Sequence, residues 1–268
     1  MIGLVAAAAG LALAAEAGIV YGEAGGETLT LDYYAGAGAA SRPAVILIHG
    51  GGFTGGDSRG AAYYAEFLAP AGYAVFAINY RLAPKHPYPA AVQDVRRAVR
   101  FVRKNAKRWR VDGRRIALMG GAEGGYLGSL AGVAPEKGSD VQAVVSLGAP
   151  SDFRGQPVTA GLLAFLGMRM EEVGAETALA EASPAMHIGP DAPPFLFVHG
   201  DRDEGAPLAQ SVHFQLALQE AGVAADLIVI AGGGGAPERW REAGSRDWEG
   251  EVVAWLGSRL GVRGAGRR

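Results

Sequence analysis

The chain contains no cysteine and carries almost no net charge. The absence of cysteine excludes disulfide bonds, thiolate metal sites and a cysteine nucleophile. A formal charge of -2 at pH 7 argues against nucleic acid or a membrane surface as the main partner, because both need a concentrated positive field. The 268 residues, 49% of them hydrophobic, are sufficient for one α/β domain with a complete core.

Long apolar runs are also scarce, apart from residues 2–15. This segment is too short to span a bilayer, so no stable membrane insertion is expected. Small residues from Ala12 to Ala17 have the pattern of a signal-peptide cleavage site, although no Lys or Arg precedes them. We therefore expect residues 1–17 to be a signal peptide or leader and residues 18–268 to be a single domain. If residues 1–17 are a signal peptide, the protein is secreted or periplasmic. If they are not, it is cytoplasmic.

From residue 28 onward, strand patterns alternate with helix patterns. Continuous apolar runs of the kind found in covered parallel sheets occur at 44–48, 73–78, 116–119, 143–147, 195–198 and 227–230. Helical patterns lie near 90–110, 124–132, 207–221 and 246–260. The alternation predicts a doubly wound, mostly parallel sheet flanked by helices. In such sheets the loops at the carboxyl ends of the strands carry the chemistry.

Two of these loops contain glycine motifs. Residues 49–52 read His-Gly-Gly-Gly after the strand at 44–48, and such glycines allow backbone N–H groups to approach an anion closely. Residues 120–124 follow the strand at 116–119 with the spacing of a GxSxG nucleophile elbow. Ala122 stands where that motif has its serine. The nucleophile of the motif is therefore missing.

Together with the segment Asn79–Pro84, these motifs resemble the HGGG-type esterases and lipases of the hormone-sensitive-lipase-like α/β-hydrolase superfamily. The resemblance covers residues 28–260, and compact bacterial carbohydrate and feruloyl esterases are the most similar members. It implies an α/β-hydrolase fold without a large cap and an ancestry among carboxylic-ester hydrolases. It also implies a small-molecule ester or acyl-like ligand and neither a cofactor nor a metal.

The resemblance assigns roles to individual residues. Gly51, Gly52 and the N–H of Glu123 are the implied oxyanion-hole donors, Ala122 is the nucleophile position, and Asp203 is the triad acid. The supporting positions of the two motifs are His49, Gly50, Gly120 and Gly124.

The alternative acid is Asp201, and both aspartates follow the strand at 195–198 closely. Short carboxylates also stabilise turns and cap helices, so a structural role for this pair stays open.

The catalytic base of the family is missing as well. Its histidine belongs in the loop after the last strand, but residues 231–238 contain none, and Gly235 is the nearest counterpart. No histidine occurs after His213. Each of the five histidines has a structural explanation, and sequence identifies no base beside any of the candidate replacement nucleophiles, Ser58, Ser129, Ser146 and Ser211.

Glu123 adds a further difficulty for ester hydrolysis. A carboxylate 4 Å from a developing oxyanion opposes it by about 4 kcal/mol at an effective dielectric constant of 20, if the side chain points that way. The sequence thus favours a catalytically impaired, ligand-binding pseudoenzyme. Two alternatives stay open: an active carboxylesterase or carbohydrate esterase with a relocated nucleophile or base, and a non-enzymatic partner of an active paralogue.

Overall fold

The computed structural model describes residues 15–38, 41–154, 156–169, 176–243 and 246–262. Most of the expected leader, residues 1–14, lies outside these ranges. Strand β1 begins at Glu16, so the last two residues of the expected leader, Glu16 and Ala17, belong to the sheet.

A single eight-stranded sheet organises the described chain. Its strands are β1 (Glu16–Ala24), β2 (Glu27–Tyr34), β3 (Arg42–Ile48), β4 (Ala74–Ile78), β5 (Val111–Gly121), β6 (Ala143–Leu147), β7 (Phe195–Gly200) and β8 (Ala225–Ile230). Their spatial order is β1-β2-β4-β3-β5-β6-β7-β8. The β1–β2 and β2–β4 pairs are antiparallel, and every pair from β4 to β8 is parallel. The predicted mostly parallel sheet is confirmed.

Helices cover both faces of this sheet. They are α1 (Ala62–Leu68), α2 (Ala90–Lys104), α3 (Glu123–Val133), α4 (Ala160–Leu166), α5 (Glu176–Ala182), α6 (Ala209–Glu220), α7 (Trp240–Ala243) and α8 (Trp248–Leu260). The helix predicted over 90–110 was too long. α2 ends at Lys104 because Asn105 leaves helical geometry, with φ -100° and ψ 14°. Its backbone N–H and its side-chain amide both donate to the carbonyl of Phe101, at 3.0 Å and 2.9 Å.

Side chains of β3 show how the two core layers form. Ile46 and Ile48 belong to the layer that contains the apolar faces of α2, α3 and α6. Val45 and Leu47 point to the opposite layer, which contains the apolar residues of α1 and α8. Because β3 is covered on both faces, its sequence is continuously apolar, as expected for a central parallel strand. None of the helices in the described ranges is both long enough and apolar enough to cross a membrane.

Candidate active site

The turn between β5 and α3 has the geometry of a nucleophile elbow. Ala122 lies at its tip with φ 49° and ψ -123°, a strained conformation for a residue with a side chain. A Cβ atom on Gly120 would lie 2.5 Å from the carbonyl carbon of Gly124, and one on Gly124 would lie 2.0 Å from the carbonyl oxygen of Ile48. Both glycines are therefore needed for the close approach of strand and helix. At its tip the elbow carries the methyl group of Ala122.

The glycine loop after β3 faces this elbow. Gly51 and Gly52 have φ of 126° and 64°, and Phe53 also has a positive φ of 64°. A Cβ atom on Gly51 would lie 2.3 Å from the carbonyl oxygen of Gly55, whose own N–H donates to the carbonyl of Gly51 at 3.0 Å. The loop thus folds back on itself in a conformation that requires glycine at position 51.

His49 anchors the start of the loop. Its ring stacks on Tyr80 with centroids 4.2 Å apart, and the Tyr80 hydroxyl donates to the His49 carbonyl at 2.8 Å. Nδ1 lies 2.7 Å from the carbonyl oxygen of Gly50, so Nδ1 carries the proton and donates it. Burial lowers the pKa of the His49 ring, which keeps it neutral at pH 7.

The side chain of Glu123 points at the glycine loop. Its Oε2 accepts a hydrogen bond from the backbone N–H of Gly51, with a nitrogen-to-oxygen distance of 3.0 Å. This N–H is one of the predicted oxyanion-hole donors. The carboxylate therefore occupies the place that an anionic ligand of this donor would take.

Asp203 follows β7 and faces the loop after β8. Its Oδ1 accepts hydrogen bonds from the N–H groups of Gly205 and Ala206, each at 2.9 Å. Burial raises the pKa of the Asp203 carboxyl, but the neighbouring His199 and these two N–H groups outweigh burial and hold the pKa below its usual value. A Cβ atom on Gly235 would lie 2.8 Å from Oδ1, so the predicted acid and base positions are in contact.

The other aspartate of this loop has a different role. Oδ1 of Asp201 accepts from the N–H of Gly232 at 2.7 Å, and the residue is exposed. Asp201 therefore stabilises the loop after β8.

One cavity brings the predicted nucleophile and base positions together with one of the three predicted oxyanion-hole donors. Its volume is about 270 Å³, and Gly51, Ala122 and Gly235 all line it. Two lining side chains that sequence did not single out are Tyr64, from α1, and Glu238, from the loop after β8. The predicted site residues Gly52, Glu123 and Asp203 are not part of the lining.

A buried serine–histidine pair was also missed by sequence. Nδ1 of His199 lies 2.7 Å from Oγ of Ser211, and Nε2 lies 2.7 Å from the carbonyl oxygen of Ala206. The carbonyl accepts from Nε2–H, so the hydroxyl donates to Nδ1. Ser211, Phe214 and Leu218 have helical spacing and lie on the buried face of α6. This spacing was the sequence signal that could have predicted a buried Ser211.

No metal site accompanies these groups in the part of the chain that the structure describes. Within it, no three His, Cys, Asp or Glu side chains are grouped so that they could hold a metal ion.

Comparison with known sequences identifies relatives among bacterial esterases. The BD-FAE family model matches residues 31–218. The probable carboxylic ester hydrolase LipM of Mycobacterium tuberculosis is 33% identical over 188 residues, which cover 64% of this chain and 44% of LipM. Esterase LipC of the same organism is 33% identical over 194 residues, which cover 64% of this chain and 47% of LipC. The chain thus spans less than half the length of these curated relatives.

Solved structures share the whole fold. A truncated form of a carbohydrate esterase from gut microbiota superposes with a TM-score of 0.84 at 25% sequence identity, covering 95% of this chain and 99% of that one. Apo Thermogutta terrifontis esterase 2 superposes with a TM-score of 0.78 at 23% identity, covering 96% and 98%. The second likeness concerns the fold alone.

Proposed function

Because this chain belongs to the BD-FAE family and has the esterase-like ancestry of an α/β-hydrolase, we propose that it is a catalytically impaired member. In this proposal the strand-end cavity binds a small ester or acyl-like molecule and does not hydrolyse it efficiently. The triad positions Ala122 and Gly235 carry no group that can attack a carbonyl or accept a proton. Residues 1–17 direct the chain out of the cytoplasm in the same proposal.

The hydrogen bond between Glu123 and Gly51 is the observation that carries the proposal. Efficient acyl transfer needs N–H donors that are free when negative charge develops on the carbonyl oxygen. Here the Gly51 donor already serves a carboxylate 3.0 Å away. A substitution of serine by alanine alone would remove the nucleophile, whereas Glu123 also removes a donor and adds an opposing charge.

The second candidate is an active hydrolase with a relocated nucleophile. The hydrogen bond between Ser211 and His199 favours it, because this pair has the distance of an activated serine. Burial opposes it, since Ser211 is 1% exposed and His199 is fully buried. A substrate carbonyl has no route to Oγ in this arrangement, so we favour the impaired enzyme.

Hydrolysis of p-nitrophenyl acetate and butyrate by the purified chain tests the proposal. The expected rate is about 10⁴-fold or more below that of an active serine esterase assayed in parallel. A fluorophosphonate probe should leave the chain unlabelled, as judged by intact mass. Turnover at an enzyme-like rate would contradict the proposal, and loss of labelling in Ser211→Ala would then identify the relocated nucleophile.

Ligand binding needs a separate measurement. Equilibrium dialysis with a sugar acetate and a phenolic ester should show retention by the folded chain. If neither ester is retained, the ester or acyl-like ligand is wrong even if the chain is inert as a catalyst.

A further inference from the structure

The hydroxyl of Tyr64 faces the cavity beside Ala122 without a hydrogen-bond partner among the described residues. Tyr64 is only 5% exposed, and a Cβ atom on Gly121 would lie 2.6 Å from its hydroxyl oxygen. The hydroxyl therefore lies directly beside the elbow. Burial raises the pKa of Tyr64, so the phenol keeps its proton and can both donate and accept. Because Tyr64 lines the cavity, a ligand bound there can supply the missing hydrogen-bond partner.

His49 contributes a second free group. Its Nδ1–H is directed to the carbonyl of Gly50 at 2.7 Å, which leaves Nε2 as an unprotonated acceptor. Within the described part of the chain, Nε2 has no hydrogen-bond donor. The ring is 3% exposed and lines the cavity. A ligand with an N–H or O–H group can satisfy this nitrogen.

The charges around the cavity have one sign. Glu238 lines it, and the carboxylate of Glu123 lies against the glycine loop that forms another part of the wall. Among the residues that the structure describes, no Lys or Arg lines this cavity. The next residue along the chain is basic: Arg239 lines a neighbouring cavity, and its Nε lies 3.8 Å from Oε2 of Glu242. The Gly51 N–H, which could otherwise bind an anion, already donates to the Glu123 carboxylate.

We propose that this cavity binds a small organic cation with N–H groups, such as an amidinium, an imidazolium or a primary ammonium. Its N–H groups would satisfy Nε2 of His49 and the oxygen of Tyr64, while its charge is compensated by Glu238 and Glu123. The volume of about 270 Å³ is just below the range of drug-sized ligand sites, so one ring with its cationic group fits. This inference rests on the proposed function, because it names the group that the bound ligand carries beside Ala122.

Three probes of nearly equal shape and different charge test the inference. Benzamidine is a cation at pH 7.5, benzamide is neutral, and benzoate is an anion. Isothermal titration calorimetry on the full chain should give an affinity for benzamidine about tenfold above that for benzamide, because hydrogen bonds to charged groups are the stronger ones. Benzoate should bind weakest, because the carboxylates of the site repel it. Equal or tighter binding of benzoate, or no binding of benzamidine, overturns the inference.

Variants locate the bound cation. Glu238→Gln should weaken benzamidine about tenfold and leave benzamide unchanged, whereas Glu242→Gln, on the neighbouring cavity, should change neither. Tyr64→Phe should weaken both benzamidine and benzamide, because it removes a hydroxyl that does not depend on ligand charge. Equal effects of the two glutamate variants on benzamidine contradict the site. If Tyr64→Phe fails to fold, the Glu238→Gln variant still tests the cation site, because residue 238 is exposed.

Failure of this inference differs from failure of the proposed function. Ester turnover by the native chain refutes impaired catalysis whatever the probes do. A preference for benzoate refutes the cation site even in a chain that hydrolyses nothing.

Discussion

The Glu123 carboxylate and the Gly51 backbone N–H form a hydrogen bond of 3.0 Å across the opening between the elbow and the glycine loop. In an esterase this N–H stabilises negative charge that appears during the reaction. Here it stabilises negative charge that belongs to the protein. The glycine loop therefore binds an acceptor that belongs to the protein, beside an elbow whose tip is Ala122.

Removal of the Glu123 carboxylate should open the loop to external anions. We expect Glu123→Ala to bind phenylphosphonate about tenfold more tightly than the native chain, because a charged acceptor then gains the Gly51 N–H and loses a repelling neighbour. Glu123→Gln should be intermediate, since its amide oxygen can still accept from Gly51. Calorimetry measures both, and Glu220→Ala at the end of α6 is the control. Equal affinity in Glu123→Ala and the control would contradict this role of the Glu123 carboxylate.

Restoring the catalytic groups should restore hydrolysis. The variant Ala122→Ser, Glu123→Ala, Gly235→His supplies the nucleophile, frees the N–H donor and sets an imidazole beside Asp203. We expect p-nitrophenyl acetate turnover about 10²-fold to 10⁴-fold above that of the same variant without the histidine, which is the usual contribution of a general base. A rate no higher than that reference would show that Asp203 and the loop do not form a working acid–base pair.

The structure also supplies a control for the position of the histidine. A Cβ atom on Gly235 lies 2.8 Å from Asp203, so the loop or the carboxylate must shift slightly, whereas a Cβ atom on Gly234 meets nothing within 4 Å. Histidine at position 234 is easily accommodated but lines only the neighbouring cavity. It should therefore restore less activity than histidine at position 235.

Substitution of Gly124 should destabilise the whole fold. In Gly124→Ala the new methyl group would lie 2.0 Å from the carbonyl oxygen of Ile48, so β3 and α3 must separate. We expect a loss of at least about 3 kcal/mol in the free energy of unfolding, at the upper end for an overpacked core site. Gly189→Ala, where a Cβ atom meets nothing within 4 Å, should change it by less than about 1 kcal/mol. Urea unfolding measures both, and similar midpoints would contradict the close packing.

Asp203 should make stability depend on pH in acid. Its folded-state pKa is lower than the usual value, so the unfolded chain binds a proton more readily. The stabilisation is complete above the unfolded pKa of about 3.9 and is lost as the pH falls through the lower folded value. Urea unfolding at several pH values between about 6 and 2 should therefore show native stability falling relative to Asp203→Asn. A constant difference between the two proteins would refute the lowered pKa.

The central parallel strands of the sheet were predictable because each is covered on both faces and therefore reads as an apolar run. Strand β1 was not predicted, since its side chains are mostly exposed or half-buried. The order of the glycine motifs along the chain then located the loops at the strand ends. The helix over 90–110 was predicted too long, since α2 ends where the backbone of Asn105 leaves helical geometry, and the apolar spacing of the sequence does not mark that residue. Roles in catalysis for Ala122, Asp203 and Gly235, like export of the chain, stay predictions.

The sequence by itself determined the doubly wound fold, the family resemblance and the absence of serine and histidine at their expected positions. These follow from local periodicity and from motifs whose residues are neighbours in the chain. Only the tertiary structure decided that Glu123 turns to Gly51, 72 residues away, that Ser211 meets His199, and that the Tyr64 hydroxyl faces the elbow. Side-chain directions of this kind depend on which distant backbone groups the packed sheet brings within hydrogen-bond distance, and no periodicity in the sequence records that.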